Sequence, residues 1–312
     1  MNRWKEYVVA LSEAEALAVL AEASGRGRVI AGGTDLVVQF RDGQRRADVL
    51  VDITQIESLK RITVDEGALS ISAAVTHQEL LEYLARNDQF PSLKGALSAL
   101  GSPQIRNQGT VVGNVASGHG SADAGIALLA LGGELVVLSR NGRRRVSLKD
   151  YYQAGEQPRL DSTLEIAVEV RVKIPPMQQK SAYARMGRRR GFSRPVISCA
   201  AVISIDGGRI TEARIAVGPV LREPYRSEAL APCTQCFSAC RVCRPFRVLP
   251  VEEYLIGKSP EPSVFTCAAG IASEVVTPRN SVVNGTSKYR RLVVEALVKR
   301  ALSEAAFAGH HD

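Results

Sequence analysis

The stretch VIAGGTDL, Val29 to Leu36, decides how this chain is read. An apolar run stops at Gly32 and Gly33, and an amphipathic one, TDLVVQFRDG, begins. A strand that turns directly into a helix leaves the first helical N–H groups without intrahelical acceptors, and the peptide dipoles add positive charge there. Glycine has no Cβ, so the backbone can approach a ligand closely. Such a turn suits a pyrophosphate. The pattern is not G-x-G-x-x-G, so no Rossmann fingerprint is present. The competing reading is an N-capped helix after a tight turn, with no ligand.

Working outward, LSEAEALAVLAEAS has Ser12 as N-cap, Glu15 three residues later and apolar residues at helical spacing. RVIAG and DVLVDIT read as short strands, and TDLVVQFRDG as a helix closed by Gly43. RITVDEGALSISAAV reads as two strands around an acidic glycine turn. Helices follow in THQELLEYLARN and PSLKGALSAL, then a glycine-punctuated loop, then the alternating strand TLEIAVEVRVKI. After Pro175 and Pro176, three strands are expected, two of them joined at a DGG turn. The closing helix, SKYRRLVVEALVKRALSEA, is expected to bury Tyr289, Leu292, Val293, Ala296 and Leu297 on one face.

Two further elements have the chemistry of a polar cofactor site. In QIRNQGTVVGN, the run Thr110, Val111, Val112, Gly113 and Asn114 combines glycine with short donors and acceptors, and Asp123 follows. An aspartate can accept from two hydroxyls of a ribityl or ribose group. In YARMGRRRGFSRP, Arg185 lies on a strand and supplies a cation suited to a pyrophosphate or an electron-rich ring. A plain glycine-rich surface loop and a solvated basic turn are the competing readings. His77 reads as a helix cap or surface residue, and His119 lies in the second loop region. No Ser–His–Asp set or paired carboxylates stand out, so no catalytic residue is assigned.

The chain has 312 residues with 45% hydrophobic and 23% charged content, enough for several compact domains. The net charge is +8, part of it in Arg143–Arg145 and Arg188–Arg190. Aromatic content is only 5%, without basic–aromatic interleaving, which argues against a nucleic-acid partner. No apolar run is long enough for a membrane span, and the N-terminus lacks a signal-peptide core. A cytoplasmic location is expected. Cys199 and Cys267 stand alone in apolar surroundings and are expected to be buried.

Taken together, AGGTDL, QIRNQGTVVGN with Asp123, YARMGRR, VLPVEEYLIGKSP and SKYRRLVVEALVKRAL resemble the FAD-binding medium subunit of the molybdenum hydroxylases, in order along nearly the whole chain. That family includes the flavoprotein subunits of xanthine dehydrogenase, carbon monoxide dehydrogenase and 4-hydroxybenzoyl-CoA reductase. The resemblance implies an α+β fold. Two FAD-binding subdomains, residues 1–55 and 56–176, have the two-subdomain architecture of vanillyl-alcohol-oxidase-like proteins. A C-terminal α+β domain, 177–306, follows with a small antiparallel sheet. It implies FAD held by Val29, Ile30, Ala31, Gly32, Gly33, Thr34, Asp35 and Leu36 and by Thr110 to Asn114, with Asp123 and Arg185 on polar groups of the cofactor. Val112 stands where the family has glycine, which would add a Cβ against the cofactor. The implied role is electron transfer, from [2Fe–2S] clusters of a small partner subunit through FAD to NAD or another acceptor. A large molybdopterin subunit would oxidise the substrate. The alternative is a non-redox scaffold that kept the fold.

Against that family pattern, residues 221–243 form an insert carrying Cys233, Cys236, Cys240 and Cys243. The C-x2-C-x3-C-x2-C spacing supplies four thiolates, enough for a [4Fe–4S] cluster or tetrahedral zinc. A segment without metal is the third reading.

Overall fold

The computed structural model describes residues 4–87, 89–153, 160–189, 193–221 and 243–307. The chain forms two compact units, each discontinuous in sequence.

The first unit comprises Met1–Glu82, Pro103–Ser117 and Gly133–Lys173. Its smaller sheet joins β1 (Glu6–Val9), β2 (Gly27–Ile30) and β3 (Val49–Asp52) in the order β1-β3-β2, all parallel. Two helices, α1 (Glu13–Glu22) and α2 (Leu36–Arg41), make the crossovers that parallel pairing requires. The α1 start follows its sequence signature: Ser12 Oγ accepts from the Glu15 N–H at 3.1 Å, and the Glu15 carboxylate accepts from the Leu11 N–H at 2.8 Å. Ile30, Phe40, Ala47 and Leu50 form a small core, with Trp4 edge-on to Phe40.

The larger sheet joins β4 (Ile62–Asp65), β5 (Ala68–Ser72), β6 (Glu134–Ser139), β7 (Gly142–Ser147) and β8 (Ile166–Lys173) in the antiparallel order β4-β5-β8-β6-β7. Glu66 and Gly67 both have positive φ, as a two-residue hairpin turn requires. In β8, Ile166, Val168, Val170 and Val172 are buried while the alternate residues are partly open, the period-two pattern of its sequence. The helix α3 (His77–Ala85) begins in this unit. The stretch expected as a glycine loop instead contains two short helices, α5 (Pro103–Gln108) and α6 (Val111–Ala116), and α8 (Leu148–Gln153) follows β7.

The second unit comprises Tyr83–Ser102, Gly118–Gly132 and Ile174–Asp312. Its sheet joins β9 (Gln179–Gly187), β10 (Pro195–Asp206), β11 (Arg209–Leu221) and β12 (Cys243–Arg247) in the antiparallel order β12-β11-β10-β9. The β10–β11 hairpin turns on Gly207 and Gly208, at φ +55° and +73°. The helices α4 (Pro91–Ala99), α7 (Asp123–Ala130), α9 (Leu249–Leu255) and α11 (Ser287–Phe307) pack on this sheet, and α10 (Pro262–Val275) packs against α9 and α11. Helices cover β10 on both faces, which explains its unbroken apolar run.

Two expectations change here. The buried stripe of α11 is Arg290, Val293, Val294, Leu297, Val298, Ala301, Leu302 and Ala305, while Tyr289, Leu292 and Ala296 are exposed. The Arg290 guanidinium donates to the carbonyls of Arg279, Val196 and Pro219. A stripe chosen by hydrophobicity excludes an arginine and so selects a neighbouring face. Cys199 is buried in β10 as expected, but Cys267 is exposed on α10.

Candidate functional site

Loop one runs from the end of β2 to the start of α2. None of the backbone N–H groups from Ala31 to Leu36 has an acceptor among the described residues. Asp35 takes the N-cap position of α2, yet its carboxylate makes no capping bond. Gly33 sits at φ +68°, a conformation that favours glycine. Its carbonyl starts the helix by accepting from the Val37 N–H at 2.9 Å.

Loop two lies against it. A Cβ on Gly32 would overlap the Gln108 carbonyl oxygen and lie 2.8 Å from the Gly109 Cα. Gln108 Nε2 donates to the Gly32 carbonyl at 3.2 Å. Gly109 in turn accepts from the His77 N–H at 3.0 Å, and the Val111 N–H donates to Val75 at 3.1 Å. Thr110 is the N-cap of α6, its Oγ accepting from the Gly113 N–H at 3.2 Å. Within the first unit Val29–Leu36 therefore lies against Gln108 and Gly109, the residues just before Thr110–Asn114.

Val112 is helical and buried, as is Val111 beside it. Its side chain is packed in the protein interior, so the replacement of the family's glycine adds core volume.

His77 is the residue that sequence reading misplaced. The cap of α3 is Thr76: its Oγ accepts from the Glu79 N–H at 3.2 Å, and Glu79 accepts from the Thr76 N–H at 2.7 Å. His77 itself is buried, only 3% exposed. A Cβ on Gly109 would lie 3.3 Å from His77 Cδ2 and 3.4 Å from Thr34 Oγ1, which sets the imidazole beside the junction of the loops. Burial first, and then the charge of Arg106, push the imidazole down to about 4, so it is neutral at neutral pH. The available signal was THQE: a Thr-x-x-Glu capping box places the histidine one residue inside the helix.

Asp123 and Arg185 meet in the second unit. Asp123, the first residue of α7, is 4% exposed. Its Oδ1 accepts from the Tyr183 hydroxyl at 2.5 Å and from Ser198 Oγ at 2.7 Å, and its Oδ2 lies 3.4 Å from Arg185 Nε. Arg185 Nη2 also donates to the Ser193 carbonyl. Burial pushes the Asp123 carboxyl up, opposed by Arg185 and the two hydroxyls. The same burial, with the neighbouring carboxylate, raises the Tyr183 phenol. Sequence reading passed over Tyr183 and Ser198. Tyr183 is two residues before Arg185 on β9, and Ser198 is Arg185's partner across the β9–β10 register. Strand periodicity thus gathers all three side chains on one face.

Cys233, Cys236 and Cys240 lie outside the described residues, as does Arg190 of the second basic cluster. Cys243 is buried at the start of β12. Among the described residues no cluster of histidine, cysteine or carboxylate side chains suits a metal ion. The arginines of β7 each face a different glutamate: Arg143 pairs with Glu13, Arg144 with Glu165 and Arg145 with Glu66. That basic run is therefore balanced within the first unit. No helix among the described residues is long and apolar enough to cross a membrane.

Comparison with known proteins assigns the family. Residues 3–176 match the FAD binding domain in molybdopterin dehydrogenase. The chain belongs to that family. Residues 236–305 match the C-terminal domain of the carbon monoxide dehydrogenase flavoprotein. This flavoprotein is 30% identical to the xanthine dehydrogenase FAD-binding subunit of Escherichia coli O157:H7, over 73% of its own length and 78% of the relative. It is 28% identical to the 6-hydroxypseudooxynicotine dehydrogenase complex subunit alpha of Paenarthrobacter nicotinovorans, over 96% and 94%. Among solved structures, carbon monoxide dehydrogenase from Hydrogenophaga pseudoflava matches with a TM-score of 0.84 at 26% identity, covering 97% of each chain. The mixed helix-and-sheet fold with a C-terminal antiparallel sheet is thus that of the molybdenum hydroxylase flavoproteins, and the chain is an FAD-binding oxidoreductase subunit.

Proposed function

We propose that this flavoprotein is the electron-transfer subunit of a multi-subunit molybdenum hydroxylase. It would stand between the [2Fe–2S] clusters of a small partner subunit and NAD or another acceptor, alongside a large molybdopterin subunit that oxidises the substrate. The observation that carries the reading is the row of unpartnered N–H groups from Ala31 to Leu36, closed on one side by Gly109. A diphosphate needs clustered donors and a backbone without Cβ atoms in its way, and this loop offers both. FAD, when bound, supplies one- and two-electron redox chemistry.

The residues then divide the work. Ala31 to Leu36 present N–H groups to the diphosphate, with Val29 and Ile30 as the strand end that fixes their direction. Thr110 and Gly113 lock the start of α6 so that loop two keeps its place against Gly32, with Asn114 one residue further along the helix. Val111 and Val112 anchor that turn in the core. Relatives of this chain belong to dehydrogenases named for different substrates, xanthine and 6-hydroxypseudooxynicotine, which fits a reading in which the partner subunit chooses the substrate. For the cysteine insert we propose a metal centre on Cys233, Cys236, Cys240 and Cys243, a [4Fe–4S] cluster or tetrahedral zinc.

The test is purification from the native host under anaerobic conditions. Stoichiometric FAD, co-purifying partner chains and molybdenum in the complex are expected. A colourless chain that takes up no FAD overturns the reading. Iron beyond the partner's clusters, or zinc, lost on Cys236→Ser, is expected for the insert; iron- and zinc-free chain removes that assignment.

A further inference from the structure

We propose that His77 is a ligand-facing residue of the cradle where the two loops meet, its Nε2–H donating one hydrogen bond to a phosphate oxygen of the bound dinucleotide. The proposal rests on the FAD reading above and adds to it a side chain outside both loops. The chain's own packing leads to it. His77 is fixed from both sides, its N–H bonded to the Gly109 carbonyl and its ring set beside the Gly109 Cα face. The residue is buried and neither ring nitrogen has a hydrogen-bond partner among the described residues; Nδ1 is sealed, so Nε2 is the nitrogen open to a ligand.

In a neutral imidazole one nitrogen is a bare acceptor and the other carries the N–H. With Nδ1 as the sealed acceptor, the Nε2–H donor is left without a partner among the described residues, which is rare for a residue so buried and calls for an explanation. A histidine kept only for its volume would be replaced by leucine or phenylalanine at no polar cost. The ring lies where Thr34 of loop one and Gly109 of loop two converge. A diphosphate drawn to the free N–H groups of residues 31–36 would bring acceptor oxygens to this point. Neutral imidazole always carries one N–H and suits a single-donor role. Burial first, and the charge of Arg106 second, keep the ring from gaining a second proton. The positive charge at the loop then comes from the backbone dipoles, and His77 contributes direction.

The test compares wild-type protein with His77→Leu and His77→Gln, each stripped of FAD and titrated with it. The His77→Leu variant is expected to bind FAD about tenfold more weakly, the worth of one lost hydrogen bond. The His77→Gln variant, which keeps an N–H donor, should recover most of that. The apoprotein of His77→Leu should melt no lower than wild type, because an unpartnered polar atom has been removed. The chain has four histidines, so the His77 ring nitrogens can be assigned in ¹⁵N-histidine-labelled protein by their absence from His77→Gln. Their resonances should shift when FAD saturates the wild type. Unchanged FAD affinity in His77→Leu, or ring nitrogens that do not respond to FAD, overturns the proposal while leaving the FAD reading intact. A wild type that binds no FAD ends both.

Discussion

Gly32 and Gly109 touch backbone to backbone, so closely that a Cβ on Gly32 would come within 2.8 Å of the Gly109 Cα. Each residue belongs to a different loop, 77 positions apart, and each is the glycine that lets the other loop close in. The contact ties a parallel strand–turn–helix unit to the start of α6. It sets the unpartnered N–H groups of residues 31–36 against the glycine of the second loop. On the cradle reading, cofactor binding would be a property of the pair, and a fault in either loop should be read out by both.

The first prediction follows from that contact. Gly32 has no positive φ to forbid alanine, so Gly32→Ala tests the close approach alone. The added methyl must displace the Gln108–Gly109 backbone. FAD retention should fall at least about tenfold, equivalent to roughly 1.4 kcal/mol of binding. Gly33→Val tests the other constraint, since its φ of +68° strains any branched residue and Ile30 Cδ1 would lie 3.1 Å from the new Cβ. Cofactor stoichiometry by absorbance and apoprotein melting separate loss of binding from loss of fold. Retained stoichiometric FAD in both variants would contradict the cradle.

The second concerns pH. The His77 imidazole is held at about 4 in the folded chain, against an ordinary 6.5. A depressed histidine means that the unfolded chain binds the extra proton more readily. Its contribution to stability is intact above pH 6.5 and is lost as pH falls toward 4. The full effect of such a shift is about 3 kcal/mol. Carboxylates titrate in the same range, so the measurement is a difference. Between pH 7 and 4.5 the apo wild type should lose about 2–3 kcal/mol more stability than His77→Gln in urea unfolding. Parallel curves for the two proteins would mean that His77 is solvated in the folded state.

Much of this architecture is legible in the sequence because it is set by local rules. The Ser12–Glu15 capping box, the alternation of β8 and the Gly207–Gly208 turn each need only neighbouring residues to be understood. The cradle loops were legible for the same reason, as clusters of glycine and short polar residues. What stayed hidden depends on distant partners. The seat of His77 is fixed by Gly109, the stripe of α11 by carbonyls of Val196, Pro219 and Arg279, and the surroundings of Asp123 by two strands more than 50 residues away. The assignment of Tyr83–Ser102 and Gly118–Gly132 to the second unit is likewise a matter of packing that no local pattern records.

The third prediction tests the lock on loop two. Thr110 Oγ caps the N-terminus of α6, and Thr110 is buried. Thr110→Ala should cost about 1 kcal/mol of stability, whereas Thr110→Ser, which keeps the oxygen, should cost less than half of that. If the cap also holds the loop for the cofactor, FAD affinity should fall in the alanine variant and not in the serine variant. Equal affinities in the two would confine Thr110 to folding.

The last concerns the buried group around Asp123. Its carboxylate takes two hydroxyl hydrogen bonds and faces a guanidinium whose side chain is only 11% exposed. Replacing one member of a buried charge pair strands the other, which typically costs about 3–5 kcal/mol. Asp123→Asn should therefore be strongly destabilising even though the amide keeps the shape and one acceptor oxygen. Tyr183→Phe removes one hydrogen bond to a charged group and should cost about 2 kcal/mol. Arg185→Met combined with Asp123→Asn removes both charges together and should recover part of the loss. The sign of that coupling, read from a double-mutant cycle by thermal or urea unfolding, is the decisive quantity. If the double variant is as unstable as the sum of its parts, the two charges do not act on each other, and the hydroxyl bonds of Tyr183 and Ser198 alone hold α7 to the sheet.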